Sequence, residues 1–231
     1  MVAVIMLMSS TLQGAVGYGM NLLAAPILLV FDKDFVPGPA LAAGLAMALL
    51  MTIREREGIH LGELRWAIAG RLPGTVVGAL LVAQLSHVGL SVALAGAVMF
   101  AVLLSALGIS VRPRPTTLVA AGVVSGVMGT ATSIGGPPIA MLYQHETGPR
   151  VRGMLSSTFL VGTMISIVGL GAVGEFGRHE LILTLGLLPG IVAGFTLSRR
   201  FTVHLDDGHT RVAILVVAAV SAVSVVVGEL L

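Results

Sequence analysis

Residues 122–145 read GVVSGVMGTATSIGGPPIAMLYQH, and this stretch decides the fold. It is apolar enough for a lipid bilayer. Its middle, Thr132-Ser133-Ile134-Gly135-Gly136-Pro137-Pro138, is unsuited to a continuous helix. Each glycine costs about 1 kcal/mol relative to alanine, and each proline removes a backbone donor and clashes with the preceding turn. A helix interrupted at membrane depth bares N–H and C=O groups that lipid cannot satisfy, so protein or a water-filled cavity must surround them. Such a break is where a bound solute is expected.

The rest of the chain has the same character. Of its 231 residues 56% are hydrophobic and only 10% are charged, with a mean hydropathy of +1.01, whereas a soluble domain carries roughly a quarter charged residues. The whole length, 1–231, reads as one membrane domain. The absence of cysteine excludes a disulfide framework, a thiolate metal site and a cysteine nucleophile. The formal net charge of +2 comes from loop arginines rather than a basic patch, which argues against a nucleic-acid partner. Gly17-x-Gly19 lacks the third glycine of a dinucleotide fingerprint, and no cofactor is called for. All six histidines lie in or beside loops, so intramembrane proteolysis is not expected and the chain is not read as an enzyme.

Apolar segments fall at about 2–31, 35–53, 64–85, 88–109, 115–144, 154–173, 181–198 and 211–228. Six have about the 20 residues of one crossing. The first and fifth reach about 30, roughly 45 Å of straight helix against a hydrocarbon core of about 30 Å, and each carries glycine and proline in its middle. These two also match each other. Gly14-x-x-Gly17 followed by Pro26 recurs as Gly126-x-x-Gly129 followed by Pro138, and Leu72-Pro73-Gly74-x3-Gly78 recurs as Leu188-Pro189-Gly190-x3-Gly194. The offsets, 112 and 116, predict a duplicated unit of four segments: repeat 1 at 1–110 and repeat 2 at 115–231.

Positive loops stay cytoplasmic, and here they follow different segments in the two halves. Arg54, Arg56 and Arg65 follow the second segment, and Arg112 and Arg114 the fourth. In the other half Arg199, Arg200 and Arg211 follow the seventh. The repeats are therefore expected to be inverted, which requires an odd number of crossings in each. Arg112 and Arg114 precede the fifth segment and Arg150 and Arg152 follow it, so that segment is expected to enter and leave on one side. The expected fold is an all-α polytopic membrane protein of two inverted repeats, each with three transmembrane helices and one broken, re-entrant segment. Eight plain crossings remain the alternative.

Polar groups at membrane depth are few. Thr130, Thr132 and Ser133 lead into the break at Gly135, Gly136 and Pro137; a half-helix starting there would aim its free N–H groups and positive dipole end at an anion. The competing reading is that the hydroxyls bond back to carbonyls one turn earlier and the glycines serve packing. The first-half counterpart is Gly17, Gly19 and Asn21, with Gln13 similar; the amide either serves a solute or caps the broken backbone. Ser156 and Ser157 either face the cavity or cap the start of the sixth segment. Arg71, about six residues into the third segment, either attracts an anion or snorkels to the surface; Leu187 is its expected counterpart. No carboxylate lies well inside a segment, so a proton relay is not available, and an inside-negative potential alone drives an anion outward by about 2.3 kcal/mol per charge per 100 mV.

Two broken G-x2-G segments, the second reading SIGGPP, together with repeated LPG-x3-G helices, resemble the TauE/SafE family over essentially the whole chain. The resemblance implies a bacterial inner-membrane, multi-pass transporter of small anions such as sulfite, sulfonates or other small organic anions, often an exporter. Two departures are visible. After Gly17 only Gly19 stands where the family carries paired or tripled glycines, and Ala42-Ala43-Gly44-Leu45 is apolar where Ser156-Ser157-Thr158 is polar. The less polar first half favours a monoanion with an apolar end. A passive channel and a non-transporting scaffold are the alternatives. The expected partners are the anionic substrate and the lipid bilayer, and small residues on helix faces suit a homodimer.

Overall fold

The computed structural model describes residues 1–107, 111–143, 145–146 and 148–201, and among them every expected apolar segment forms helix. The expected eighth segment, with Arg211, lies outside the described residues. The first segment is two helices, α1 (Val2–Val16) and α2 (Met20–Phe31). Between them Gly17 and Gly19 hold φ of 108° and 113°, a region that favours glycine. α3 (Gly38–Arg54), α4 (Leu61–Gln84) and α5 (His87–Ala106) follow. The fifth segment is again two helices, α6 (Pro115–Thr132) and α7 (Gly136–Leu142); α8 (Gly148–Ala172) and α9 (Arg178–Phe201) complete the described chain.

Both expected breaks are present, but the prolines do not make the second one. α6 ends because Ser133 turns into the left-handed region at φ 60°. Pro137 and Pro138 sit in the first turn of α7, where a missing N–H costs little because it has no acceptor within the helix. The offset between the breaks is also 116 rather than 112: Val16 and Thr132 end the leading arms, and Met20 and Gly136 begin the trailing ones. The glycine pattern that suggested 112 is therefore shifted by one turn from the structural match.

Two helix starts differ from the apolar reading. α4 begins at Leu61, which places Arg71 about three turns inside rather than six residues. α8 begins at Gly148, so Ser156 and Ser157 lie two turns within it and do not cap it. The reason is common to both. Charged residues extend these helices beyond their apolar runs because they are paired: Arg150 with Glu63 at 2.8 Å, and Arg152 with Glu55 at 3.0 Å.

The packing is an exchange of contacts between the two halves. α4 lies along α6, the leading arm of the second break, and α9 lies along α1, the leading arm of the first. Glycine permits both contacts. A Cβ on Gly70 would lie 2.0 Å from the Val119 carbonyl oxygen and one on Gly74 2.2 Å from that of Val123; Gly190 and Gly194 meet Ala3 and Leu7 carbonyl oxygens at 2.5 and 2.4 Å in the same sense. Such backbone approach is the small-residue packing of membrane helices. Gly70 and Gly74 on α4, and Gly190 and Gly194 on α9, are thus pairs spaced four residues apart that each meet a leading arm.

Both arms of each broken segment contribute to one buried cluster. Leu118 of α6 and Leu142 of α7 share one buried cluster, with Tyr143, Ala67 and Met154, and Met6 of α1 and Leu28 of α2 share another, with Met47 and Leu187. Charges collect at the helix ends. Arg54, Glu55 and Arg152 form one group, with Glu55 accepting from both arginines, and Asp34 pairs with His179 among the helix ends away from it. Among the described residues four helical stretches are long and apolar enough to cross a membrane: Leu61–Gln84, His87–Leu104, Gly148–Ala172 and Arg178–Arg200.

Candidate functional site

The two breaks meet around one pocket, with about 50 Å³ of room. Gly19 and Asn21 reach it from the first break, Ser133, Gly135, Gly136 and Pro137 from the second, Arg71 from α4 and Thr163 from α8. Its apolar wall includes Tyr18, Leu22, Leu41 and Phe159. The breaks are stitched together across the pocket: Asn21 Nδ2 donates to the Ser133 carbonyl at 3.1 Å and to the Ala40 carbonyl at 3.0 Å. Gln13 also lines it, and its Oε1 accepts from the Met20 N–H at 3.0 Å, satisfying a backbone donor at the start of α2.

Arg71 is the dominant electrostatic feature. Its residue is 1% exposed, so it does not snorkel to the surface. Nη1 donates to Ser125 Oγ at 2.7 Å, and Ser125 Oγ in turn donates to the Gly135 carbonyl at 2.6 Å, so the cation is tied to the break itself. Nε has no hydrogen-bond partner, and no acidic side chain among the described residues pairs with this guanidinium. The slot that holds it is built of glycine: a Cβ on Gly162 would lie 1.9 Å from Nε, and one on Gly129 2.9 Å from Nη2.

Of the residues expected from sequence, Gly19, Asn21, Arg71, Ser133, Gly135, Gly136 and Pro137 line this pocket, and Gly17, Thr130, Thr132, Ser156 and Ser157 do not. Gly17 packs on Arg152 and Leu155. Thr132 donates to the Met128 carbonyl at 2.8 Å, Ser156 to Gly153 and Ser157 to Met154, all within their own helices. Thr130 is buried beyond the pocket lining, 2.8 Å from Ser166 Oγ and 3.4 Å from Thr75 Oγ1. The helix-start donors are fewer than the pattern suggested, because Pro137 and Pro138 have no N–H to offer. Sequence reasoning missed Ser125, Gly162 and Thr163. Nothing local marks them, since each acts across a helix interface.

A family model described as the sulfite exporter TauE/SafE matches residues 1–225. The chain belongs to the sulfite exporter TauE/SafE family. No curated protein and no solved structure gave a significant match. TauE/SafE membership and the long apolar helices make this a multi-pass transmembrane transport protein, consistent with a non-enzymatic role. In this TauE/SafE chain the pocket where the breaks meet holds a buried arginine that pairs with no acidic side chain among the described residues.

Proposed function

We propose that the protein exports a small, singly charged sulfur oxyanion, sulfonate or similar organic anion across a bacterial inner membrane, binding it between the two broken segments. The observation that carries this reading is Arg71, buried in the pocket with an unpartnered Nε and no acidic partner among the described residues. An arginine in such surroundings is costly unless an anion accompanies it, and one positive charge is matched by one negative charge. Leu22, Leu41 and Phe159 in the pocket lining suit a monoanion with an apolar end. The family description, a sulfite exporter, points to the same chemistry.

The exchange of α4 and α9 between halves, and the return of each broken segment to one cluster, support two inverted repeats, 1–110 and 115–231, with re-entrant hairpins. In that arrangement one half rocks against the other around a fixed site to alternate access. The test is flux of sulfite and short sulfonates into proteoliposomes, at zero and imposed potential. Saturable, potential-sensitive movement that falls at least about 100-fold in Arg71→Met is expected, since the variant keeps the chain length and loses the charge. Equal flux in folded Arg71→Met refutes the site. Non-saturating flux favours a channel, and none at all a scaffold.

A further inference from the structure

Two further hollows flank α6, with about 230 and 270 Å³ of room against about 50 Å³ in the pocket between the breaks. The first lies between α5, α6 and α7, from Val111 and Thr117 to Met141, and the second between α4, α5 and α6, reaching Ala131 and Thr132. Phe100 and Val124 line both, so the two are successive parts of one groove. Along α6 it runs from Thr117 to Thr132, about 22 Å at 1.5 Å per residue, against about 15 Å for one leaflet of a 30 Å hydrocarbon core. The two hydroxyls in its lining are engaged by backbone: Thr117 Oγ1 donates to the Arg112 carbonyl at 2.9 Å and Thr132 Oγ1 to the Met128 carbonyl at 2.8 Å. A polar solute finds no partner there, and a hydrocarbon chain needs none.

Charge at one end selects the kind of chain. Arg112 and Arg114 stand at the mouth beside Val111 and Thr117, and the Thr117 hydroxyl also accepts from the Arg114 N–H at 2.9 Å. Both arginines are exposed, and neither pairs with an acidic side chain among the described residues. α4 and α6 run parallel, with Gly70 against Val119 and Gly74 against Val123, which puts Trp66 level with Pro115. Trp66 is exposed and carries Arg65 over its ring at 5.1 Å, the pattern of a membrane–water boundary. We infer that the groove binds an anionic phospholipid, one acyl chain lying along α6 and the phosphate accepting from Arg112 and Arg114. A second copy on this face, related by a two-fold axis along the membrane normal, would bring two more arginines to the same end with no acid to offset them. α5 is the least buried of the four spanning stretches, so the lipid completes its packing. Pro138, Met141 and Leu142 of α7 line the same groove, so the lipid also braces the trailing arm of the second break.

The test is native mass spectrometry of the purified full-length protein in detergent, titrated with dioleoyl phosphatidylglycerol and with dioleoyl phosphatidylcholine. One phosphatidylglycerol is expected to bind about 10- to 30-fold more tightly than phosphatidylcholine, since each basic residue near a membrane surface contributes about fivefold. Replacing both arginines, Arg112→Gln with Arg114→Gln, should equalise the two lipids. Gly96→Leu tests the groove itself: Gly96 lines it, and a Cβ there meets nothing within 4 Å, so the leucine occupies the acyl path without a clash. That variant should lose the tight lipid and still unfold near the wild-type temperature in lipid-free detergent. If it does not fold, chain length decides on the wild type, where dihexanoyl phosphatidylglycerol should bind at least about 10-fold more weakly than the dioleoyl lipid because it leaves most of the groove unfilled. Equal affinity for the two dioleoyl lipids, tight binding that survives Gly96→Leu, affinity independent of chain length, or a dimer that Gly96→Leu splits overturns the inference. None of these outcomes bears on anion transport.

Discussion

Gly162→Ala isolates the arginine slot. The new methyl would sit 1.9 Å from Arg71 Nε, 2.2 Å from Cδ and 2.6 Å from Cζ, whereas non-bonded carbon contacts are favourable at about 3.5–4.0 Å. The guanidinium must therefore shift by roughly 1–2 Å. That breaks its 2.7 Å bond to Ser125 Oγ and displaces the cation from beside the break, where an anion would accept from it. A hydrogen bond from a charged group is worth about 1.5–3 kcal/mol, so the loss corresponds to roughly a 10- to 150-fold weaker anion affinity. Overpacking costs about 1–3 kcal/mol, but here a side chain yields and alanine favours the helix by up to about 1 kcal/mol, so the fold should survive. Gly70→Ala is the contrast. Its methyl would lie 2.0 Å from the Val119 carbonyl oxygen, which belongs to backbone and cannot rotate aside, so α4 must separate from α6 and stability should fall by about 1–3 kcal/mol or more. The assay is thermal unfolding of each variant in detergent, with and without saturating sulfite, beside proteoliposome flux. Gly162→Ala should unfold near the wild-type temperature with little response to sulfite. A folded Gly162→Ala protein with wild-type sulfite affinity would refute the slot as the binding site.

Two further outcomes follow from the helix ends. Because Glu55 is 9% exposed and accepts from Arg54 Nε at 2.8 Å and Arg152 Nε at 3.0 Å, Glu55→Gln leaves two arginines facing each other. It should lower stability by about 1–3 kcal/mol, read as a drop in unfolding temperature, and an unchanged temperature would show that the group is solvent-screened. Topology is open to single cysteines in a chain that has none of its own. Thr116→Cys and His145→Cys flank the second broken segment at exposed positions, and an impermeant maleimide should label both from the cytoplasmic side; labelling from opposite faces would sink the re-entrant hairpin.

Much of the architecture was written locally. Glycine pairs, prolines and the 30-residue length of the first and fifth segments marked two breaks, because backbone that cannot propagate a helix betrays itself without reference to any partner. The presence of Arg71 within an apolar segment was also legible, since an arginine there is rare wherever it points, although its full depth was not, because α4 begins earlier, at Leu61. The placement of Pro137 and Pro138 was misread because proline stops a helix behind it and starts one ahead of it, and only the turn at Ser133 shows which applies. The starts of α4 and α8 were missed for another reason: Glu63, Arg150 and Arg152 look like loop charges until their partners across the fold are known.

By itself, then, the sequence determined a membrane-embedded all-helical chain with two interrupted segments and one deep cation, because hydropathy and backbone propensity are properties of short stretches. Tertiary structure alone decided what those features face. The hydroxyls of Thr132, Ser156 and Ser157 turn to their own helices, while Ser125, Gly129 and Gly162, from α6 and α8, close around an arginine from α4. A side chain's partner across a helix interface depends on how distant segments pack against each other.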